Sequence, residues 1–212
     1  SIDYCYAVNP WIEEVMKKNG VKGSILPGIL SKEIINLKLA STRITKKVFH
    51  IGYFGGLVAE KGGLLILELI NLIRKNKGSC FKFHITGNGD LMSKFELLSK
   101  SNPELIQYYG VVDDKKFNNI IGKMDILLNP HFNKKGVLPF KLLEYIASGR
   151  IVISGPLNLS GTSLEWLLDG IILVDLKARL WLDKILRISE GQSLHHSKLK
   201  KIRQKTIKLY SH

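Results

Sequence analysis

Two stretches of this sequence carry residue types and spacings suited to holding an anion. The first is Gly55-Gly56-Leu57, followed by Glu60-Lys61-Gly62. A glycine-rich turn between a strand and a helix lets backbone N–H groups approach a phosphate closely, and Lys61 adds a cation. The second runs from Gly136 to Gly149 and contains Leu138-Pro139-Phe140-Lys141 and Glu144. Pro139 suits the first turn of a helix, where its missing N–H costs nothing. That end of a helix presents free N–H groups and the positive pole of the dipole. Lys141 in the same turn is disfavoured by the dipole unless an anion such as a phosphate is shared between them. Glu144 lies one turn further in, beside the same mouth.

The elements that must position these residues are read from periodicity. Val48 to Tyr53, Ser79 to Thr86, Ile106 to Val112, Met124 to Asn129, Ile151 to Ser154 and Ile171 to Val174 read as strands or strand–turn segments. Helical spacing is predicted from Gly63 to Lys75, with Leu64, Leu67, Ile70 and Ile73 inward. It is also predicted from Met92 to Lys100, Lys115 to Ile121, Pro139 to Ala147 and Leu176 to Arg187. Phe140, Leu143 and Ala147 share one predicted face, as do Leu180, Ile185 and Leu186. Asp113-Asp114 is a capping signal, and Gly87-Asn88-Gly89 is ordinary turn chemistry. Strand–helix alternation argues for an α/β fold, a Rossmann-like doubly wound parallel sheet with helices on both faces. In such sheets ligands bind beyond the carboxyl ends of the strands, where all these turns would gather.

Bulk numbers set the bounds. The 212 residues suffice for one sizeable α/β domain and pieces of another. Hydrophobic content of 45% and charged content of 24% are those of a soluble globular chain. Charges break every apolar run well short of ~18 residues, so no spanning helix is expected. No secretory signal opens the chain, and Ser1-Ile2-Asp3 reads as the interior of something longer. Cys5 and Cys80 sit in strand-like segments without metal-ligand spacing, read as reduced core thiols in a cytoplasmic protein. The net charge of +14 favours an anionic partner. The stretch from Ser193 to His212 holds six Lys/Arg and no acid; it is read as a basic helix with Leu199, Ile202 and Leu209 on its apolar face.

The ordered motifs resemble glycosyltransferase family 4, with the two-domain GT-B fold. Gly55-Gly56-Leu57…Glu60-Lys61-Gly62 is similar to that family's Gly-Arg-Leu…Glu-Lys-Gly loop, whose Arg and Lys clamp the donor diphosphate. Lys61 matches the Lys, and Gly56 stands in place of the Arg. Pro139-x-Lys141-x-x-Glu144-Tyr145 resembles the donor-binding helix, with Glu144 matching the Glu that holds the nucleotide ribose. The Glu expected eight residues earlier, at the donor sugar, is here Gly136. Gly87 and Asn88 resemble the family's Gly-x-Gly turn, and Val111 and Val112 stand where its backbone pairs with the nucleotide base. His131 is either a sugar contact or a turn residue.

The resemblance covers residues 48 to about 175. It implies a nucleotide-sugar-binding domain at 48–175, C-terminal helices at 176–212, and a remnant of an N-terminal domain with the interdomain linker at 1–47. It further implies a retaining transfer of a sugar from a nucleoside diphosphate to a hydroxyl of a sugar or lipid-linked acceptor, in bacterial surface polysaccharide or glycolipid assembly. No cofactor and no essential metal are expected. Lys61, Lys141 and Glu144 are expected to serve the chemistry, with Gly55, Gly56, Gly87, Asn88, Val111, Val112, His131, Leu138, Pro139 and Phe140 around the donor. Lys141 is the candidate to compensate for the absent Arg. This chain alone, lacking acceptor groups, is expected to turn over little or nothing. The basic tail reads as a final helix crossing back onto the first domain, or as a peripheral contact with an anionic membrane; the crossing helix is favoured. The alternative class is a non-catalytic basic binding module for nucleic acid or a protein complex. No nucleic acid is expected, because the basic residues are not interleaved with stacking aromatics. An NAD-dependent enzyme ranks third, since no Gly-x-Gly-x-x-Gly follows the first strand.

Overall fold

The computed structural model describes residues 4–7, 10–25, 30–39, 48–77, 80–131, 139–162, 164–191 and 196–210. A small parallel pair opens it: β1 (Cys5–Ala7) and β2 (Gly23–Ile25), joined by α1 (Pro10–Lys18). α2 (Lys32–Ile35) follows, with the Ser31 side chain accepting from the Ile34 N–H as its cap.

The main sheet comprises β3 (Phe49–Phe54), β4 (Phe81–Thr86), β5 (Ile106–Tyr108), β6 (Ile126–Asn129), β7 (Ile151–Ser154) and β8 (Ile171–Leu173). All neighbours are parallel, in the order β5-β4-β3-β6-β7-β8. Relabelled from its first strand, that is the 3-2-1-4-5-6 order of a Rossmann sheet; the Rossmann-like parallel class was expected, and the order is supplied by the structure. Between β3 and β6 the chain reverses its direction of travel across the sheet, opening a crevice at their carboxyl ends.

Period-two alternation divides the sheet between two cores. Phe49, Ile51 and Tyr53 of β3 and Phe81, Phe83 and Ile85 of β4 meet α3 (Gly63–Lys77), α4 (Met92–Ser101) and α7 (Ala178–Ser189), with Trp181 fully buried. On the opposite face Phe54, Leu127 and Val152 meet α5 (Asp114–Ile121), α6 (Phe140–Ala147) and α8 (His196–Tyr210). Asp113 caps α5, its carboxylate accepting from the Lys116 N–H at 2.7 Å.

Several apolar residues depart from the expected core. Leu64 is exposed and faces a surface groove between α3 and α4, because the buried stripe of α3 is centred on Ile66, Leu69, Ile70 and Ile73. Leu180 is exposed; the inward stripe of α7 runs through Trp181, Leu182 and Ile185. Leu209 is exposed, and Ile202, Thr206 and Tyr210 form the packed face of α8 instead. Cys80 is exposed just ahead of β4 and Cys5 is half-buried; both are free thiols.

The basic tail is the helix α8. It packs on α6 and on the 3-10 turn Glu165–Gly170, and it reaches back to the stretch read as linker. Arg203 is its pin: the guanidinium donates to the carbonyls of Ala147 at 2.7 Å, Ile35 at 2.8 Å and Leu37 at 2.6 Å. Among the described residues no helix is long and apolar enough to cross a membrane.

The turns that leave β3, β4 and β5 are laced together at one edge. The Gly55 N–H donates to the Thr86 carbonyl at 3.2 Å, Leu57 N–H to Asn88 at 2.7 Å, Leu91 N–H to Leu57 at 2.9 Å and Gly87 N–H to Gly110 at 2.8 Å. Gly87 has φ +119°, and a Cβ there would run into the Gly55 carbonyl oxygen. The lacing therefore admits only glycine at this position.

His84 lies buried in the middle of β4. Its Nε2 is 2.8 Å from Nδ1 of His50 and its Nδ1 is 2.7 Å from the Tyr109 hydroxyl. It is a strand residue, held between two side chains on neighbouring segments. Burial first, then the charges of His50, Lys82 and Lys123, push its pKa down to about 4.

Two outcomes follow for stability. Gly87→Ala is expected to cost on the order of 3 kcal/mol, lowering the melting temperature by roughly 6–12 °C for a chain of this size. Calorimetry checks this. The second concerns His84. Below its unfolded value of about 6.5, the unfolded chain takes up a proton that the folded chain refuses until pH about 4. Stability should therefore fall as pH drops through that window, by at most about 1.4 kcal/mol per pH unit for one group. Urea titrations from pH 6.5 to 5 should show this slope, and His84→Gln should reduce it.

Candidate active site

The crevice between β3 and β6 holds a cavity of about 350 Å³. Tyr53, Phe54, Gly55 and Gly56 line it from the end of β3, and Asn129, Pro130 and His131 from the end of β6. Lys61 enters from the 3-10 turn Ala59–Lys61, and Pro139, Phe140 and Lys141 from the start of α6.

Two buried tyrosines hold these walls. The Tyr53 hydroxyl lies 2.8 Å from the Gly56 carbonyl and 3.1 Å from that of Lys61, one proton drawn between two acceptors, so both ends of the glycine-rich turn are drawn together. Tyr145, on α6, donates to the Phe54 carbonyl at 3.1 Å and accepts from the Phe54 N–H at 3.2 Å. That exchange ties α6 to the last residue of β3. Burial raises both phenols well above their ordinary value, so each stays a neutral donor. At the other wall the Asn129 amide donates to Ser154 Oγ at 2.8 Å, a buried bond joining the ends of β6 and β7.

The start of α6 differs slightly from expectation. Pro139 is the N-cap residue, with ψ 124°, and the helix runs from Phe140. Phe140 does not face the core: it is 55% exposed at the cavity mouth, while Leu142, Leu143, Tyr145 and Ile146 supply the buried face. The Lys141 ammonium sits 4.0 Å from the centroid of the Phe117 ring and 3.4 Å from Glu144 Oε2. A first-turn cation is thus steadied by an aromatic face and a carboxylate one turn on.

The Lys61 side chain lies across Gly56: its Cδ and Nζ are 2.9 and 3.2 Å from where a Cβ on residue 56 would stand. His131 is half-buried. Burial, then the nearby Lys61 charge, hold its imidazole below the ordinary histidine range, while a hydrogen bond to the Glu60 backbone acts the other way. The cavity therefore offers two lysines, a neutral imidazole and a helix N-terminus, over an otherwise apolar lining. Such a site can receive an anion with an uncharged group attached.

Of the residues expected from sequence, Gly55, Gly56, Lys61, His131, Pro139, Phe140 and Lys141 line this one cavity. Glu144 stands behind Lys141 as its ion-pair partner. Gly87 and Asn88 do not line it; they support it, bonded through backbone to Gly110 and Leu57. Val111 is exposed and Val112 half-buried on the same edge, past Gly110. Leu138 and Gly136 lie outside the described residues. Tyr53, Phe54, Asn129 and Pro130 were not foreseen as site residues. Their only sequence signal is position: each ends one of the two strands that flank the reversal, and that pairing is set by the sheet order.

The Glycosyl transferases group 1 family matches residues 48–190. No curated protein matches the chain. Among solved structures, it is similar to sucrose-phosphate synthase from Thermosynechococcus elongatus, at 14% identity and a TM-score of 0.69, over 99% of this chain and 54% of that one. It is similar to a glycosyltransferase from Rickettsia africae ESF-5, at 16% identity and a TM-score of 0.69, over 97% of this chain and 59% of the other. It is also similar to Anabaena Alr3699/HepE, solved in complex with UDP and glucose, at 13% identity and a TM-score of 0.67, over 99% and 59%. The chain spans a little over half the length of these neighbours. With the family matched across its six-stranded sheet, this chain belongs to the glycosyl transferases group 1 family and carries the C-terminal, Rossmann-like domain of a GT-B fold.

Proposed function

We propose that this chain supplies the donor-binding half of a glycosyltransferase that moves a sugar from a nucleoside diphosphate to an acceptor hydroxyl, with retention and without a metal. The observation that carries this reading is the gathering of Lys61, Lys141 and the start of α6 around one cavity at the sheet's reversal point. As the glycosidic bond breaks, negative charge builds on the departing diphosphate. Two ammonium groups and a helix N-terminus would stabilise that charge more than the ground state, which is how such groups accelerate a reaction. Glu144 would orient the ribose, and Val111 and Val112 would meet the base. The UDP and glucose held by the Anabaena neighbour support this choice of ligand. Acceptor groups would come from the half of the fold that lies outside this chain, so the isolated chain would bind nucleotide and turn over little. Its product would enter surface polysaccharide or glycolipid assembly. The similarity to WaaB, a lipopolysaccharide outer core galactosyltransferase, at 18% identity and a TM-score of 0.64 over 99% of this chain and 58% of that one, is in keeping with that role. Lys200, Lys201 and Lys208 are exposed on α8 and would contact an anionic membrane bearing the acceptor.

A thermal-shift screen against UDP, GDP, ADP and NAD tests the donor reading. One nucleoside diphosphate at about 100 times its dissociation constant should add about 2.7 kcal/mol, or roughly 5–10 °C. Lys61→Ala and Glu144→Ala should each weaken it by about 1–3 kcal/mol. If no diphosphate shifts the melt even when the other half of the fold is present, or if salt-sensitive retention of nucleic acid appears instead, the reading fails. For the membrane contact, co-sedimentation with phosphatidylglycerol vesicles should be lost on changing the three α8 lysines to Glu, at about 1 kcal/mol per lysine.

A further inference from the structure

Gly56 differs from the other glycines of the site edge. Gly87 and Gly89 hold positive φ, and a Cβ on either would strike backbone: the Gly55 carbonyl in one case, the Leu57 carbonyl in the other. Those glycines serve the backbone. Gly56 does not lie in the left-handed region, so any L residue could adopt its conformation. What a Cβ there would meet is side chain. The three nearest atoms are Cδ, Nζ and Cε of Lys61, at 2.9, 3.2 and 3.5 Å. The two residues face each other because the Tyr53 hydroxyl gathers both of their carbonyls. With no side chain at 56, the lysine folds back over the turn; it stays open to solvent, yet it lines the cavity, and His131 feels its charge.

We propose that Gly56 is a positioning residue: the space left by its missing side chain sets where the Lys61 ammonium stands, and so where an anion in the cavity is received. An arginine-bearing turn would place its cation from residue 56 itself. Here the cation beside residue 56 comes from a lysine five residues downstream, whose carbonyl and that of Gly56 both accept from the Tyr53 hydroxyl. That the anion is a nucleoside diphosphate rests on the function proposed above; the placement of Lys61 by Gly56 does not.

The test needs a readout that works without ligand, and His131 provides it. Its imidazole titration, followed by NMR in the ligand-free chain, reports the distance of the Lys61 charge. Lys61→Ala should raise the His131 pKa by removing that charge. Gly56→Ala should move it part of the way in the same direction, and should do nothing further in the Lys61→Ala background. An unmoved His131 in Gly56→Ala, or an equal shift in both backgrounds, overturns the proposal. In the wild type, an NOE between Gly56 Hα and the Lys61 Hε protons is expected; its absence overturns the proposal even if a variant does not fold. Affinity for UDP or GDP is the second readout. Gly56→Ala should weaken it about tenfold alone and less than about twofold with Lys61→Ala, whereas equal losses in both backgrounds would mean that the methyl meets the ligand directly. If His131 couples as described while no diphosphate binds, the placement stands and the donor reading falls.

Discussion

The Gly55 carbonyl pressed against Gly87 is the contact on which the functional edge of this domain depends. A parallel sheet must end all its strands on one side, and the carbonyls and N–H groups of the departing chain then need partners. Here they find one another. Turns from β3, β4 and β5 exchange hydrogen bonds, and the closeness of that exchange leaves no room for a Cβ at Gly87. The turns hold one another by these hydrogen bonds, and an edge so held can keep side chains at fixed places around a cavity.

The cavity walls come from elements distant in sequence, and tyrosine hydroxyls join them. Tyr145 reaches from α6 to both polar groups of Phe54, and Tyr53 closes the turn that carries Lys61. Buried phenols suit this work. They bring a large apolar body to the core and a polar tip to backbone that would otherwise be unsatisfied. Arginines do the same at the rear of the domain. Arg203 takes carbonyls at the end of α6 and in the 35–37 stretch, and Arg150 takes those of Ile121 and Gly122. Burial lowers the pKa of both, yet an arginine so far above neutrality keeps its charge, which the carbonyl oxygens share. α8 therefore couples the stretch read as linker to the helix whose other end lines the cavity.

Charge on α8 is divided by the same geometry. Lys198 pairs with Asp169 at 2.8 Å, and the Lys205 ammonium lies 4.2 Å from the centroid of the Trp166 ring, so both hold the helix to its neighbour. Lys200, Lys201 and Lys208 point elsewhere. Basic composition thus contributes to packing on one side and to surface potential on the other.

The sequence by itself determined the α/β class, the six principal strands and the order of the turns, because period-two and period-3.6 patterns and Gly, Pro and Asp punctuation are local properties. It also brought Lys61, Lys141 and Glu144 forward, through their place in turns and first helical turns. It misplaced Leu64, Leu180 and Leu209, because the phase of a buried stripe depends on what each helix packs against, and Cys80, which stands just ahead of β4 rather than inside the sheet. Only the tertiary structure decided that β3 lies beside β6, since pairing between strands so far apart in sequence leaves no local trace. From that adjacency come the cavity, the roles of Tyr53 and Asn129 in its walls, and the partnership of Lys141 with Glu144 and Phe117. The space over Gly56 that Lys61 fills is likewise tertiary: in sequence it is one glycine among several, and only the fold shows what its missing side chain makes room for.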